Sequence, residues 1–183
     1  YFRASPSGWH GKPPLRREVH GATADLRLWP LGRWRDGDGG PNKLGTVNFA
    51  VSRTEGTTRT ATQWFDKTGE IWAFDSSICD EVDGKTILGH YQVVRDWDSM
   101  IERAIAFYQH FKAKAPFQVE VGLAGLSAVY WADPMVSRRT PALEDSVAHA
   151  IASRDWSTTG RHDFLLDAYN KLCDAFHQPP IDR

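Results

Sequence analysis

The sequence predicts a single α+β domain: an antiparallel sheet of about four or five strands, with helices at 99–115 and 161–177 packed on one face. Three observations carry this. Thr57 to Asp75, TTRTATQWFDKTGEIWAFD, sets two β-rich runs around Asp66-Lys67-Thr68-Gly69. Gly69 falls where a type I turn with a bulge needs a residue at positive φ. Met100/Ile101, Ala104/Ile105, Tyr108 and Phe111 recur at helical spacing, as do Phe164/Leu165, Ala168/Tyr169, Leu172/Cys173 and Phe176. Finally, Phe117–Leu123 alternates apolar and polar residues as a strand does.

In chain order, residues 4–14 are rich in Ser, Gly and Pro and read as a loop, so 1–24 is expected to be a linker or N-terminal extension and 25–183 the domain. Asp25 to Trp29 reads as a short β piece, and Arg35 to Pro41 as a glycine-rich loop. Leu44 to Arg53 alternates Val47, Phe49 and Val51 with polar neighbours and predicts a strand. Thr54-Glu55-Gly56 turns the chain into 57–65, and the Gly69 turn leads to 70–76, giving an antiparallel meander. Both faces of this hairpin carry large apolar groups: Trp64 opposes Phe65, while Trp72 and Phe74 oppose Ile71 and Ala73. A sheet with one wet face alternates more cleanly, so both faces are expected to be covered, by helices, by loops or by another domain or chain.

Cys79 to Arg95 reads as an acidic turn and a short extended run. Ser99 and Glu102 form a capping-box pattern that predicts a helix start, and Pro116 ends the run by Ala115. The strand at 117–123 is extended in this reading through Ala128–Trp131. Pro141 to Ser153, PALEDSVAHAIAS, reads as a short helix, and Pro179-Pro180 closes the last helix.

The composition narrows the function more by exclusion than by assignment. A net charge of −1 argues against a dedicated nucleic-acid coat protein. Residues 1–60 nevertheless hold ten Lys/Arg against five Asp/Glu, while 61–183 hold twelve against eighteen. The two cysteines, Cys79 and Cys173, lie far apart with no metal-ligand spacing, which suits free thiols in a cytoplasmic protein. No apolar run reaches membrane-spanning length, and Tyr1-Phe2-Arg3 reads like the interior of a longer protein. None of the seven histidines stands in HExxH, HxH or a comparable ligand set, so neither metal nor cofactor is expected. There is no GxSxG elbow and no phosphate-binding glycine loop, and Cys79 beside Asp80 and Glu81 is in a setting that raises its pKa. A catalytic set is therefore not assigned. A hydrolase would have to use a pair such as His162-Asp163, whose neighbouring positions point to different faces of a helix.

The remaining candidate surface is basic and aromatic. Arg16, Arg17, Arg33, Arg35, Arg53 and Arg59 are possible phosphate contacts, with Trp34 or Trp64 as a stacking platform and Gln63 on the same strand face as Arg59. The plainer reading pairs these arginines with carboxylates of the C-terminal part. Trp64, Trp72 and Phe74 are the candidate interface residues.

The order TTRTATQWFDKTGEIWAFDS, helix, FQVEVGLAGL, final helix ending in HQPPID resembles the region downstream of the Schlafen-like divergent Alba domain in bacterial helix-turn-helix-annotated proteins, over residues 44–180. The resemblance implies association with a nucleotide- or nucleic-acid-binding module, whose own residues are absent here. The sequence therefore points first to a non-catalytic accessory or protein-interaction domain of a larger bacterial protein, docking a neighbouring domain, a protein partner or a second copy. A nucleic-acid-binding module and an unrecognised His/Asp hydrolase are the alternatives.

Overall fold

The first residues of the chain form an interior strand of the principal sheet. The computed structural model describes residues 1–23, 38–52, 56–131 and 140–182. The elements run β1 (Phe2–Trp9), α1 (Arg16–Thr23), β2 (Asp38–Pro41), β3 (Gly45–Val51), β4 (Thr58–Phe65), β5 (Ile71–Asp75), β6 (Cys79–Val82) and β7 (Lys85–Leu88). They continue α2 (His90–His110), β8 (Ala113–Ala124), β9 (Val129–Trp131), β10 (Thr140–Pro141), β11 (Ser146–Ser153) and α3 (Thr158–Ala175). Seven strands make an antiparallel sheet in the order β11-β8-β1-β5-β4-β3-β2. A smaller sheet, β10-β9-β7-β6, includes the parallel pair β7/β9. The class is α+β, as expected, with more strands than expected and with three helices among the described residues.

The meander is where the sequence places it. β3, β4 and β5 are consecutive antiparallel neighbours, with Gln63 opposite Trp72 and Ala61 opposite Phe74. Gly69 adopts φ +74°, and a Cβ there would meet Trp9 Cζ2 at 2.8 Å, so both the turn and its neighbour demand glycine.

Five expectations are corrected. The loop over 4–14 is instead mostly strand: Phe2 and Ala4 are buried and alternate with Arg3 and Ser5 between β5 and β8. Pro6, which has no N–H to give a ladder, stands where the register shifts between Pro6 and Gly8, a place a strand tolerates it. The helix expected to start at Ser99 starts at His90, and Ser99 lies in its interior. Val93 and Trp97, one turn apart, bury on the same side as Met100 and Ile101, and this packing outweighs the weak helix propensity of Val93-Val94. The helix also ends earlier than Pro116: Lys112 at φ +53° turns the chain into β8. Finally, 146–153 is a strand rather than a helix. Its Val147, His149 and Ile151 alternate with Ala148, Ala150 and Ala152 along β8, and β9, read as a continuation of β8, belongs to the smaller sheet.

One face of the principal sheet is covered. Phe2, Ala4, Trp64, Ile71, Ala73, Val119, Val121 and Leu123 meet Met100, Ile101, Ala104, Phe107 and Tyr108 of α2 and Phe164, Leu165, Ala168 and Leu172 of α3 in one core. The Tyr108 hydroxyl, wholly buried, donates toward the carbonyl oxygens of Ala4 at 2.8 Å and Gly69 at 3.1 Å, tying α2 to both β1 and the hairpin turn. At the other end of α2, His90 stacks on Trp131 with centroids 4.1 Å apart, joining the smaller sheet to the core. Ser157 caps α3, its hydroxyl accepting from the Gly160 N–H at 3.3 Å. Among the described residues no helix is long and apolar enough to cross a membrane.

A histidine on the covered side has a shifted pKa. His149 rests against Phe164, its Nδ1 is buried with no hydrogen-bond partner among the described residues, and its pKa is lowered by burial and then by Lys171, with Asp167 acting the other way. A lowered folded-state pKa means that the unfolded chain binds the proton more readily. The stabilisation is present above the unfolded value of 6.5 and is lost as the pH falls below it. Melting temperature is expected to drop between about pH 7.5 and about pH 5, and less so in His149→Gln, by differential scanning fluorimetry. An identical slope in the variant would show that His149 does not contribute.

Candidate docking face of the principal sheet

Strand alternation sends every second side chain to the face opposite α2 and α3. There, β5 presents Trp72 and Phe74, 41% and 43% exposed, in the middle of the sheet. Their cross-strand partners are Gln63 and Ala61 on β4, which in turn face Val47 and Phe49 on β3. On the other side of β5, Arg3 lies opposite Trp72, its guanidinium carbon 5.1 Å from the ring centroid. The result is an apolar strip across β5, β4 and β3 with one cation lying over its largest ring.

The charges on this face neutralise one another. Arg3 donates from Nε to Glu70 at 2.9 Å, and its Nη1 is 3.7 Å from Glu120. The hydrogen bond to Glu70 raises the Arg3 pKa further. Tyr1 donates its phenol proton to Glu120 at 2.9 Å, and burial, then that bond, pushes its pKa up to about 12. Gln63 uses its amide internally, accepting from Asn42 at 2.7 Å and donating to the Trp64 carbonyl at 2.6 Å. Among the described residues two arginines, Arg3 and Arg59, therefore stand against Glu70 and Glu120, and these offer no excess of positive charge to a phosphate backbone.

The structure sorts the residues singled out from the sequence. Arg59, Gln63, Trp72 and Phe74 share this face. Trp64 does not: at 2% exposure it belongs to the core, 6.3 Å from Phe107, and is withdrawn both as a stacking platform and as an interface residue. Arg16 has a structural task. It pairs with Asp66 and donates to the carbonyls of Asn42 at 2.9 Å and Lys43 at 3.0 Å, fastening α1 to the β2–β3 and β4–β5 turns. Arg17 is exposed on α1. Arg33, Trp34, Arg35 and Arg53 lie outside the described residues. Arg3 and Glu120 were not singled out, although the alternation of Phe2-Arg3-Ala4-Ser5 was there to be read.

The residues weighed as catalytic candidates are not drawn into a common site. Cys79 has its pKa raised by burial and then by Asp80, the direction its acidic neighbours suggest, and Cys173 is likewise raised by burial. His162 and Asp163 approach only to 4.0 Å, both exposed on α3. Among the described residues no three His, Cys, Asp or Glu side chains converge as metal ligands. Comparison with protein-family models, curated proteins and solved structures finds no match to this chain.

Proposed function

We propose that the chain is a non-catalytic accessory domain that docks a neighbouring domain or protein partner through the uncovered face of its principal sheet. The observation behind this is the exposure of Trp72 and Phe74 at mid-sheet, beside Phe49, Val47 and Ala61, on a face whose ions are internally paired. Burying two half-exposed aromatic rings favours association, and a neutral surface is not repelled by an apolar partner. The second reading is a single-stranded nucleic acid stacked on the same rings, favoured by Arg59 standing on that face next to Phe74.

The two are separable. A photo-crosslinking amino acid at position 74 of the natural full-length protein, expressed in its own cells, is expected to give a discrete protein or intramolecular domain adduct. Trp72→Ser should remove most of that adduct, and the same probe at exposed Tyr91 on α2 should give none. Tight, salt-sensitive binding of a fluorescent oligonucleotide that Trp72→Ser abolishes would replace the docking reading with the nucleic-acid one. No adduct and no oligonucleotide binding would remove both.

A further inference from the structure

The two edges of the principal sheet are treated very differently. β2 is four residues long, carries two glycines and ends in Pro41, the kind of edge that discourages further pairing. β11, at the opposite edge, has eight residues, SVAHAIAS, with no proline, no lysine and no carboxylate. Most of it is exposed, including Ile151 at 44%.

Its backbone direction follows from the next strands in. Gly122 of β8 exchanges both backbone hydrogen bonds with Tyr1, donating at 3.0 Å and accepting from the Tyr1 amino group at 2.6 Å. Its N–H and C=O therefore point away from β11, and Ala148, directly opposite, is a non-hydrogen-bonded partner whose own N–H and C=O point outward. By alternation Ser146, Ala150 and Ala152 point outward too. Among the described residues the polar side chain reaching this row is Lys171 of α3, whose ammonium is 3.4 Å from the Ala148 carbonyl oxygen.

We propose that β11 is a self-association edge: two copies of the chain pair β11 antiparallel about a twofold axis and continue one sheet across both. Only one register engages all four outward residues, that in which Ala148 faces Ala150 of the second copy, Ser146 faces Ala152 and His149 sits on the axis. The same register places Glu144, just before the strand, opposite Arg154, just after it, at both ends. Both are exposed, and the twofold repeats the pair. On the helix side it sets Ile151 against Val147 of the second copy, covering the exposed isoleucine. On the other side the facing residues are Ser and Ala, small enough for strands to approach without clash. The ladder requires Lys171 to give up its single long contact. A strand from an unrelated protein would satisfy the backbone equally, but it has no reason to match acid to base at both ends.

Analytical ultracentrifugation from nanomolar to high micromolar concentration tests this. Wild type is expected to show a reversible monomer–dimer equilibrium. Ala150→Pro removes an N–H that the monomer does not use, and should weaken the dimer at least about tenfold with circular dichroism and melting unchanged. As a test independent of proline, Arg154→Glu should weaken it, and Glu144→Arg combined with Arg154→Glu should restore it. A chain that stays monomeric throughout overturns the proposal. So does a dimer indifferent to both Ala150→Pro and Arg154→Glu, or one abolished by Trp72→Ser alone, which would assign self-association to the sheet face.

Discussion

Truncating Trp64 to alanine is expected to lower the free energy of unfolding by about 3–5 kcal/mol, measured by urea denaturation. The indole is the largest wholly buried side chain among the described residues, on the covered face between Ile71 across the strand and Phe107 of α2. Alanine would leave a cavity in the layer that joins hairpin to helix, where the sheet cannot collapse without breaking its ladders. Trp64→Phe should cost much less. The indole Nε1 is buried with no partner among the described residues, so phenylalanine removes a desolvated N–H along with the lost contacts. A loss below about 1 kcal/mol for Trp64→Ala would mean that the residue is at the surface, as an interface role would require.

What could be read from the sequence depended on where the deciding interaction was local. The meander was legible because its turns are set by residues within a few positions: Gly56 at φ +67° and Gly69 at φ +74° both do what their places in the sequence imply. The placement of Trp72 and Phe74 opposite Ile71 and Ala73 follows from period-two alternation alone, and so does the conclusion that two helices on one face leave aromatics uncovered. β11 was not legible as a strand. The three alanines of SVAHAIAS favour a helix locally, and pairing with β8 over all eight positions decides the matter from a distance. α2 gave a false start because the Ser99/Glu102 spacing fits a cap, whereas the actual start lies at Gly89, whose N–H donates to the Ile78 carbonyl at 2.9 Å.

The candidate site shows the same division. Arg59 and Gln63 share a face, as their spacing requires, but spacing could not reveal that Gln63 spends its amide on Asn42 and the Trp64 carbonyl. Nor could it show that Arg16 is held by Asp66, a partner 50 positions away. Arg3 went unnoticed because Ser5-Pro6-Ser7-Gly8 imitates a loop, although it belongs to a strand held between β8 and β5. Of the arginines that looked like phosphate contacts, Arg16 is a structural tie, while Arg17 stays exposed on α1.

Gly45→Ala is expected to destabilise the fold by about 3–5 kcal/mol, and Gly56→Ala by only about 1 kcal/mol, although both glycines have positive φ. The difference lies in what surrounds them. Gly56 has no atom within 4 Å of a built Cβ, so alanine there meets backbone strain alone. At Gly45, with φ +154°, a Cβ would lie 2.0 Å from the carbonyl oxygen of Trp64, in the register that pairs Gly45 with Phe65. Neither partner can yield easily. Asn42 holds Gly45 from both sides, its Oδ1 accepting from the Gly45 N–H at 2.9 Å and its own N–H donating to the Gly45 carbonyl at 2.9 Å. The Trp64 carbonyl accepts from Gln63, and its indole is locked in the core. Relief must come from parting β3 and β4 at this end, which exposes the ladder and loosens the Arg16 contacts to Asn42 and Lys43. Hydrogen exchange in Gly45→Ala should therefore rise first in 42–46 and 63–66. Equal losses of stability in the two variants would show that conformational preference alone, and not the approach of the Trp64 carbonyl, selects glycine at position 45.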